Sequence, residues 1–237
     1  MTPAHPWIQT GSGIAFDLVA PTRTMVNFDI DIAEALARLP RFTGHIRSGC
    51  YSVAQHSIMG ADALHRETGR DDIAAAFLLH DAHEAYVGDM ATPVAAALAV
   101  YAGACGAVHS VFKDLGSQTS RESAAKCAAN GLSLMKEVID RAIFEAAGIA
   151  WPLPADIHRA VKEMDLRMLT TERRHLLGPS PAPWHASVEA AKPIRLVGKM
   201  SVWPWPDAAD AFRERLTRYI PQFQSPTRRK ARRQAAA

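Results

Sequence analysis

The sequence predicts a mainly α-helical protein built as a single domain. Three observations carry this. From residue 28 onward apolar residues recur at spacings of three and four, two long stretches (94–115 and 120–147) are rich in alanine, and β character is confined to residues 13–28 and 194–203.

Taken in order, residues 13–28 carry Ile14, Phe16, Leu18, Val26 and Phe28 and read as a strand, able to pair with 194–203, IRLVGKMSVW, in a small β-ribbon. DIDIAEALARLP places Ile32, Leu36 and Leu39 on one helical face and stops at Pro40, which cannot continue a helix. SVAQHSIMGADALHRETG spaces Val53, Ile58, Ala61 and Leu64 in the same way before Gly69. RDDIAAAFLLHDAHEAYVGD opens with two aspartates, which favour a helix start, and lines up Ile73, Ala76, Phe77 and His80. After the two alanine-rich helices, LPADIHRAVKEMDLRMLTTERRHLLG runs from a proline to Gly178 with Ile157, Val161, Met164 and Met168 along its stripe. The Pro/Trp-rich stretch 178–206 reads as an ordered connection whose tryptophans cover the edge of the core, and DAADAFRERLTRYI repeats at Phe212, Leu216 and Ile220.

With 237 residues and 48% hydrophobic content, the chain can bury one sizeable core. It has no apolar run of about 18 residues and no charged-then-apolar leader, which predicts a soluble, cytoplasmic protein with no membrane partner. Cys50, Cys105 and Cys127 are odd in number and form no CxxC pair, so neither a disulfide framework nor a thiolate zinc site is indicated. The formal charge of +3 becomes −2 without Arg228, Arg229, Lys230, Arg232 and Arg233. Those five lie in a basic tail, 222–237, expected to be disordered, and the remaining domain, 1–221, is not a specific nucleic-acid reader.

The chemistry gathers in FLLHDAHEAYVGDMATPV, where a greasy helix ends in adjacent His80 and Asp81. A buried, uncompensated charge costs several kcal/mol, so something must compensate these groups. One imidazole and one carboxylate can together serve a divalent ion, and two further ligand candidates exist: His56 in the preceding helix and Asp165 midway along a later one. Alone, each is more often a satisfied core histidine or a solvent-facing aspartate. In combination they point to a metal centre.

The combined pattern resembles the HD-domain metal-dependent phosphohydrolases, whose ligands follow an H…HD…D order from three helices. RFTGHIRSGCYSVAQHS, HDAHEAYVGDMATP and DLRMLTTERRHL together resemble the 5'-deoxyribonucleotidase-like branch, with prophage-type members closest in motif, from about Ile14 through the region of Trp184. The resemblance implies a single HD-domain helical bundle with one divalent ion, Mg²⁺, Mn²⁺, Co²⁺ or Zn²⁺, held by His56, His80, Asp81 and Asp165. It implies Glu84 as general base, on the helical face of His80 and Asp81, and places Asp89 by the leaving oxygen with Thr92 in the same turn. Arg41 matches the phosphate-binding arginine, and Phe42 stands where the family uses a tryptophan against deoxyribose. His45 is a substrate contact by proximity in sequence only. His83 and Tyr86 have no transferable role beyond hydrogen bonding and packing around the motif. Ala95 replaces a usual lysine, and residues 100–130 form an insertion that is a lid, a dimer element or padding.

The activity implied by the resemblance is release of phosphate from deoxyribonucleoside 5'-monophosphates by a homodimer or higher homo-oligomer. Two alternatives stand beside it. A dNTP triphosphohydrolase would recruit Lys113, Arg121, Lys126 and the pair Arg173/Arg174, although one of that pair is expected to bind Glu172 or another carboxylate. A non-catalytic nucleotide sensor would keep the metal and forgo turnover.

Overall fold

The structure, a computed structural model, describes residues 5–47, 49–111, 118–196, 198 and 200–224. Most of the predicted basic tail, Lys113 and the centre of the 100–130 insertion lie outside the described residues.

The chain opens with an antiparallel ribbon of β1 (Trp7–Gln9) and β2 (Ala15–Asp17), with Ile8 opposite Phe16. Its turn closes through Gly13, whose φ of +86° suits a residue without a Cβ and whose N–H donates to Thr10 O at 3.0 Å. Phe16 is fully buried and stacks on Tyr86 with ring centroids 3.6 Å apart. This corrects the expected pairing of 13–28 with 194–203: a ribbon exists, but its partner strand is local. The described residues of 194–203 form no strand, because side chains claim their backbone groups. Gln55 Nε2 donates to Ser201 O at 2.6 Å, Trp203 N donates to Gln55 Oε1 at 3.0 Å, and Ile194 N donates to Thr171 Oγ1 at 2.9 Å.

The helix expected over 29–40 is divided. The Asn27 side chain accepts from the N–H groups of Asp29 and Ile30 and starts a π-type turn, Phe28–Ile32, before α1 (Ala33–Arg38). Helix α2 (Val53–Thr68) begins where the Ser52 hydroxyl accepts from Gln55 N and ends at left-handed Gly69. Beyond it come α3 (Asp71–Leu79), α4 (Glu84–Val87), α5 (Thr92–Val111), α6 (Gln118–Ala146), α7 (Ala155–Leu176), α8 (Ala186–Ala190) and α9 (Trp205–Tyr219). Short α8 interrupts the Pro/Trp-rich connection, in which Trp203 packs on the core and Trp205 lies under the Arg38 guanidinium, 3.8 Å from its ring centre.

Helices α2 and α3 pack together and against α7 and α9, with α1 closing the side near α9; α5 packs chiefly along α6. Their shared core includes Ile58, Phe77, Leu79, Met168 and Phe212, all fully buried. The mainly α class expected from the periodicity is the one observed. Among the described residues no single helix is long and apolar enough to cross a membrane.

The α2–α3 contact is set by Gly60, where an added Cβ would lie 2.0 Å from the Phe77 ring. The same ring supports the site: its centroid is 4.3 Å from that of His80. Gly60→Ala is therefore expected to destabilise the protein by about 1–3 kcal/mol through overpacking, read as a lowered midpoint in denaturant unfolding. An unchanged midpoint would mean that α2 and α3 separate without cost.

Candidate metal centre

Four side chains from three helical regions converge. His56, at 0% exposure, projects from α2; His80 and Asp81 follow the last residue of α3; Asp165 comes from α7 at the open edge of the site. The Nε2 atoms of His56 and His80 are 3.5 Å apart. Asp81 Oδ2 lies 3.2 Å from His80 Nε2 and 3.7 Å from His56 Nε2, and Asp165 Oδ1 lies 3.8 and 3.4 Å from the same two atoms. Donors bonded to one ion at about 2.0–2.2 Å sit roughly 3–3.5 Å apart, close to the separations here.

The far nitrogens orient the near ones. His80 Nδ1 donates to Phe77 O at 2.6 Å, since a carbonyl can only accept, and His56 Nδ1 donates to the Glu172 carboxylate at 2.6 Å. Each Nε2 is thereby left for either a proton or a cation. Burial presses down the pKa of His80, but Asp81 and Asp165 outweigh it and raise it to about 9. For His56, burial and Arg41 lower the pKa, while Glu172 and Asp165 more than offset them. Burial favours neutral carboxyls at Asp81 and Asp165, yet the two imidazoles hold both below the usual range. Mixed nitrogen and oxygen donors converging with negative charge fit a divalent ion. His56, His80 and Asp81 can hold one, with Asp165 beside them.

The sequence suggests Glu172 only as a partner of Arg173 or Arg174, and the structure gives it a different place. It is fully buried, accepts from His56 Nδ1 and Tyr51 OH (2.7 Å), and pairs with Arg41 Nε at 3.3 Å. Arg173 pairs with another carboxylate, as the alternative expectation had it, gripping Glu189 with two prongs at 2.5 and 2.8 Å. Burial opposes ionisation of Glu172, but Arg41, His56 and Tyr51 hold its pKa low. Arg41 is itself largely buried and reaches Asp81 Oδ2 through Nη1 at 3.3 Å, so one guanidinium braces both carboxylates. A signal for Glu172 is present in the sequence: it stands seven residues after Asp165, two helical turns along the same face.

The helix does not continue through the motif. From Phe77 to Tyr86 the N–H groups of His80, Ala82, Glu84, Ala85 and Tyr86 reach back three residues rather than four, giving turns of 3₁₀ type. Glu84 comes close to Asp81, three residues before it, as the spacing predicts. The ligand atoms of Asp81, His83 and Glu84 all lie within 4.8 Å of one another. Glu84 is 6% exposed; burial, then Asp81 and Asp89, push its pKa up to about 9 despite Arg41 and Lys136. His83 Nδ1 is 2.9 Å from Asp140 Oδ1 of α6, a partnership the sequence leaves unassigned. Burial also raises the Asp89 pKa, against Arg41.

Around the rim, Phe42 packs against Tyr51, Leu176 and Met200, with the Arg41 guanidinium 5.9 Å from its ring centre. Phe42 and Thr43 adopt φ values of +57° and +54°, a left-handed strain of the kind that surrounding contacts must hold in place. His45 is exposed just after this turn, and Thr92 is exposed as the first residue of α5.

Fold and site together define a mainly α-helical protein with a buried His/Asp centre that can hold a divalent ion. No family model matches the sequence. Uncharacterized protein YfdR of Escherichia coli (strain K12) is 32% identical over 172 residues, 72% of each chain. Uncharacterized protein RCAP_rcc00048 of Rhodobacter capsulatus is 28% identical over 215 residues, 88% of this chain and 93% of the relative. The chain belongs to the family of YfdR.

Two outcomes are expected of this centre. Because Glu172 orients His56, Glu172→Gln should weaken divalent-ion affinity by about 10–100-fold, as read by calorimetric titration; unchanged affinity would detach Glu172 from the centre. Because a proton on His80 Nε2 must leave before an ion binds, affinity should rise with pH toward about 9 and level off above it. A flat affinity between about pH 6 and about 9 would show that no such proton is displaced.

Proposed function

We propose that this protein is an HD-domain metal-dependent phosphohydrolase that releases phosphate from deoxyribonucleoside 5'-monophosphates. The observation that carries the reading is the convergence of His56, His80, Asp81 and Asp165, drawn from α2, the end of α3 and α7, with both Nε2 atoms turned toward the carboxylates. The ion, one of Mg²⁺, Mn²⁺, Co²⁺ or Zn²⁺, would polarise a phosphoryl oxygen and acidify water at the site.

The chain's own groups supply the remainder. Glu84, close to Asp81 and poorly solvated, accepts the proton of the attacking water in its ionised form, which its raised pKa makes more basic and which gains population as pH rises toward about 9. Oxygen from water bonds to phosphorus, the bond to the sugar 5'-oxygen breaks, and Asp89, whose pKa is also raised, returns a proton to that oxygen. Arg41 adds positive charge beside the transferring group while bracing Asp81 and Glu172. Phe42 and His45, in the turn that follows Arg41, would contact the sugar, and Thr92 begins α5 beyond Asp89. The protein works as a homo-oligomer in the cytoplasm.

Monophosphate is favoured over triphosphate because Arg173, one cation a longer phosphate chain would need, is committed to Glu189. A non-catalytic sensor is disfavoured because all four ligand candidates and Glu84 stand together.

Metal-loaded protein is expected to release free phosphate from dNMPs and no triphosphate from dNTPs; triphosphate among the products would replace the proposed substrate. Glu84→Ala should retain the ion at the four-residue centre and lower kcat by about 10²-fold or more. Near-normal turnover of that variant would remove Glu84 as the base.

A further inference from the structure

Helix α6 meets the centre along one stripe. Lys136, Asp140 and Ile143 follow at spacings of four and three, so they share a face of the helix. Ile143 is fully buried, and Asp140 Oδ1 is 2.9 Å from His83 Nδ1, inside the motif that carries His80, Asp81 and Glu84. The stripe therefore faces the centre. Lys136 stands one turn before Asp140, about 6 Å along the axis, and is half-buried where the core gives way to solvent. Its positive charge acts on both Glu84 and Asp89.

Lys136 is nonetheless uncommitted: among the described residues it makes no ion pair and no hydrogen bond. Arg41, the other cation whose charge acts on both carboxyls, is held by Asp81 at Nη1 and by Glu172 at Nε. A phosphate monoester brings about two further negative charges. It enters beside Asp81, Asp165 and Glu172, whose carboxyls are all held in the ionised range. A divalent ion and an arginine shared between two carboxylates leave that added charge incompletely met, so a cation with free donors is needed. A lysine serving only to offset Glu84 or Asp89 would close on one of them, and Lys136 closes on neither.

We infer that Lys136 is a substrate-binding residue whose ammonium donates to a non-bridging oxygen of the substrate phosphate, on the side where Glu84 and Asp89 stand. This rests on the proposed phosphohydrolase reading and deepens it. The two cations divide by chemistry: Arg41 is fixed by its carboxylates, while Lys136 carries a point charge on a flexible four-carbon stem that can follow the phosphate as it is transferred. Asp140, by holding His83, anchors the turn of α6 that presents Lys136.

Inorganic phosphate is the probe, because its binding requires no turnover. Full-length protein loaded with Mn²⁺ is titrated with phosphate by calorimetry, and KM for a dNMP is measured alongside. Lys136→Gln is expected to weaken phosphate affinity by about 10–100-fold and to raise KM by a similar factor, with Mn²⁺ affinity and melting temperature unchanged. Lys136→Arg, which keeps the charge, is expected to recover most of the loss, and it takes the place of Lys136→Gln if that variant lacks a cooperative melt: its phosphate affinity should then fall measurably below wild type, since the fork cannot reproduce the ammonium's position. Wild-type phosphate affinity in the variant used overturns the assignment and leaves the phosphohydrolase reading standing. Loss of Mn²⁺ affinity together with phosphate affinity makes Lys136 a support of the centre, not a ligand of phosphate, and also overturns it. Wild type that binds no phosphate and releases none from dNMPs removes the phosphohydrolase reading and the role of Lys136 with it.

Discussion

The buried Glu172 carboxylate is the contact on which the rest of the site depends. Alone, a charge at 0% exposure would cost several kcal/mol. It is tolerated because Arg41, His56 and Tyr51 meet it from one end of the chain while Glu172 arrives from α7, more than a hundred residues later. That meeting fixes the orientation of His56, brings Arg41 against Asp81 and locks α7 to α2, so that Asp165 on the same helix is delivered to the two histidines. Removing one partner would leave the others as uncompensated buried charges, which explains why packing and chemistry are not separable here.

A second constraint acts at the end of α3. The change from four-residue to three-residue hydrogen bonding after Phe77 narrows the helix where the polar residues begin. Asp81 and Glu84, three residues apart, come together across these turns. His80 lies by His56, and the ligand atoms of Asp81, His83 and Glu84 gather within 4.8 Å of one another. Phe77 packs beside both histidines, and Gly60 allows α2 to approach closely enough for His56 to reach the same point.

The strained turn at Phe42 and Thr43 follows from these anchors. Arg41 is held through its backbone by Tyr51 O at 2.9 Å and through its side chain by two carboxylates, and His45 N closes the turn onto Phe42 O at 2.9 Å. Left-handed conformations at non-glycine residues cost about 1 kcal/mol or more each. They persist because the ion pairs at Arg41 over-determine the path of the backbone.

Much of the fold is legible in sequence because its helices are amphipathic and well punctuated. The stripes Val53, Ile58, Ala61, Leu64 and Ile157, Val161, Met164, Met168 face the core as their spacing predicts, and Gly69 ends α2 where a left-handed residue is needed. The ribbon partner is not legible, because 194–203 has strand-like composition while its backbone is bonded by Gln55 and Thr171, contacts no local pattern reveals. The four ligand candidates are legible as chemistry that no apolar helix would otherwise carry. By itself, the sequence determined the helical class and the identity of those ligand candidates, since periodicity and residue type are local properties. Only the tertiary structure decided that Glu172 and Arg41 brace them and that His83 pairs with Asp140, because each depends on groups far apart in the chain.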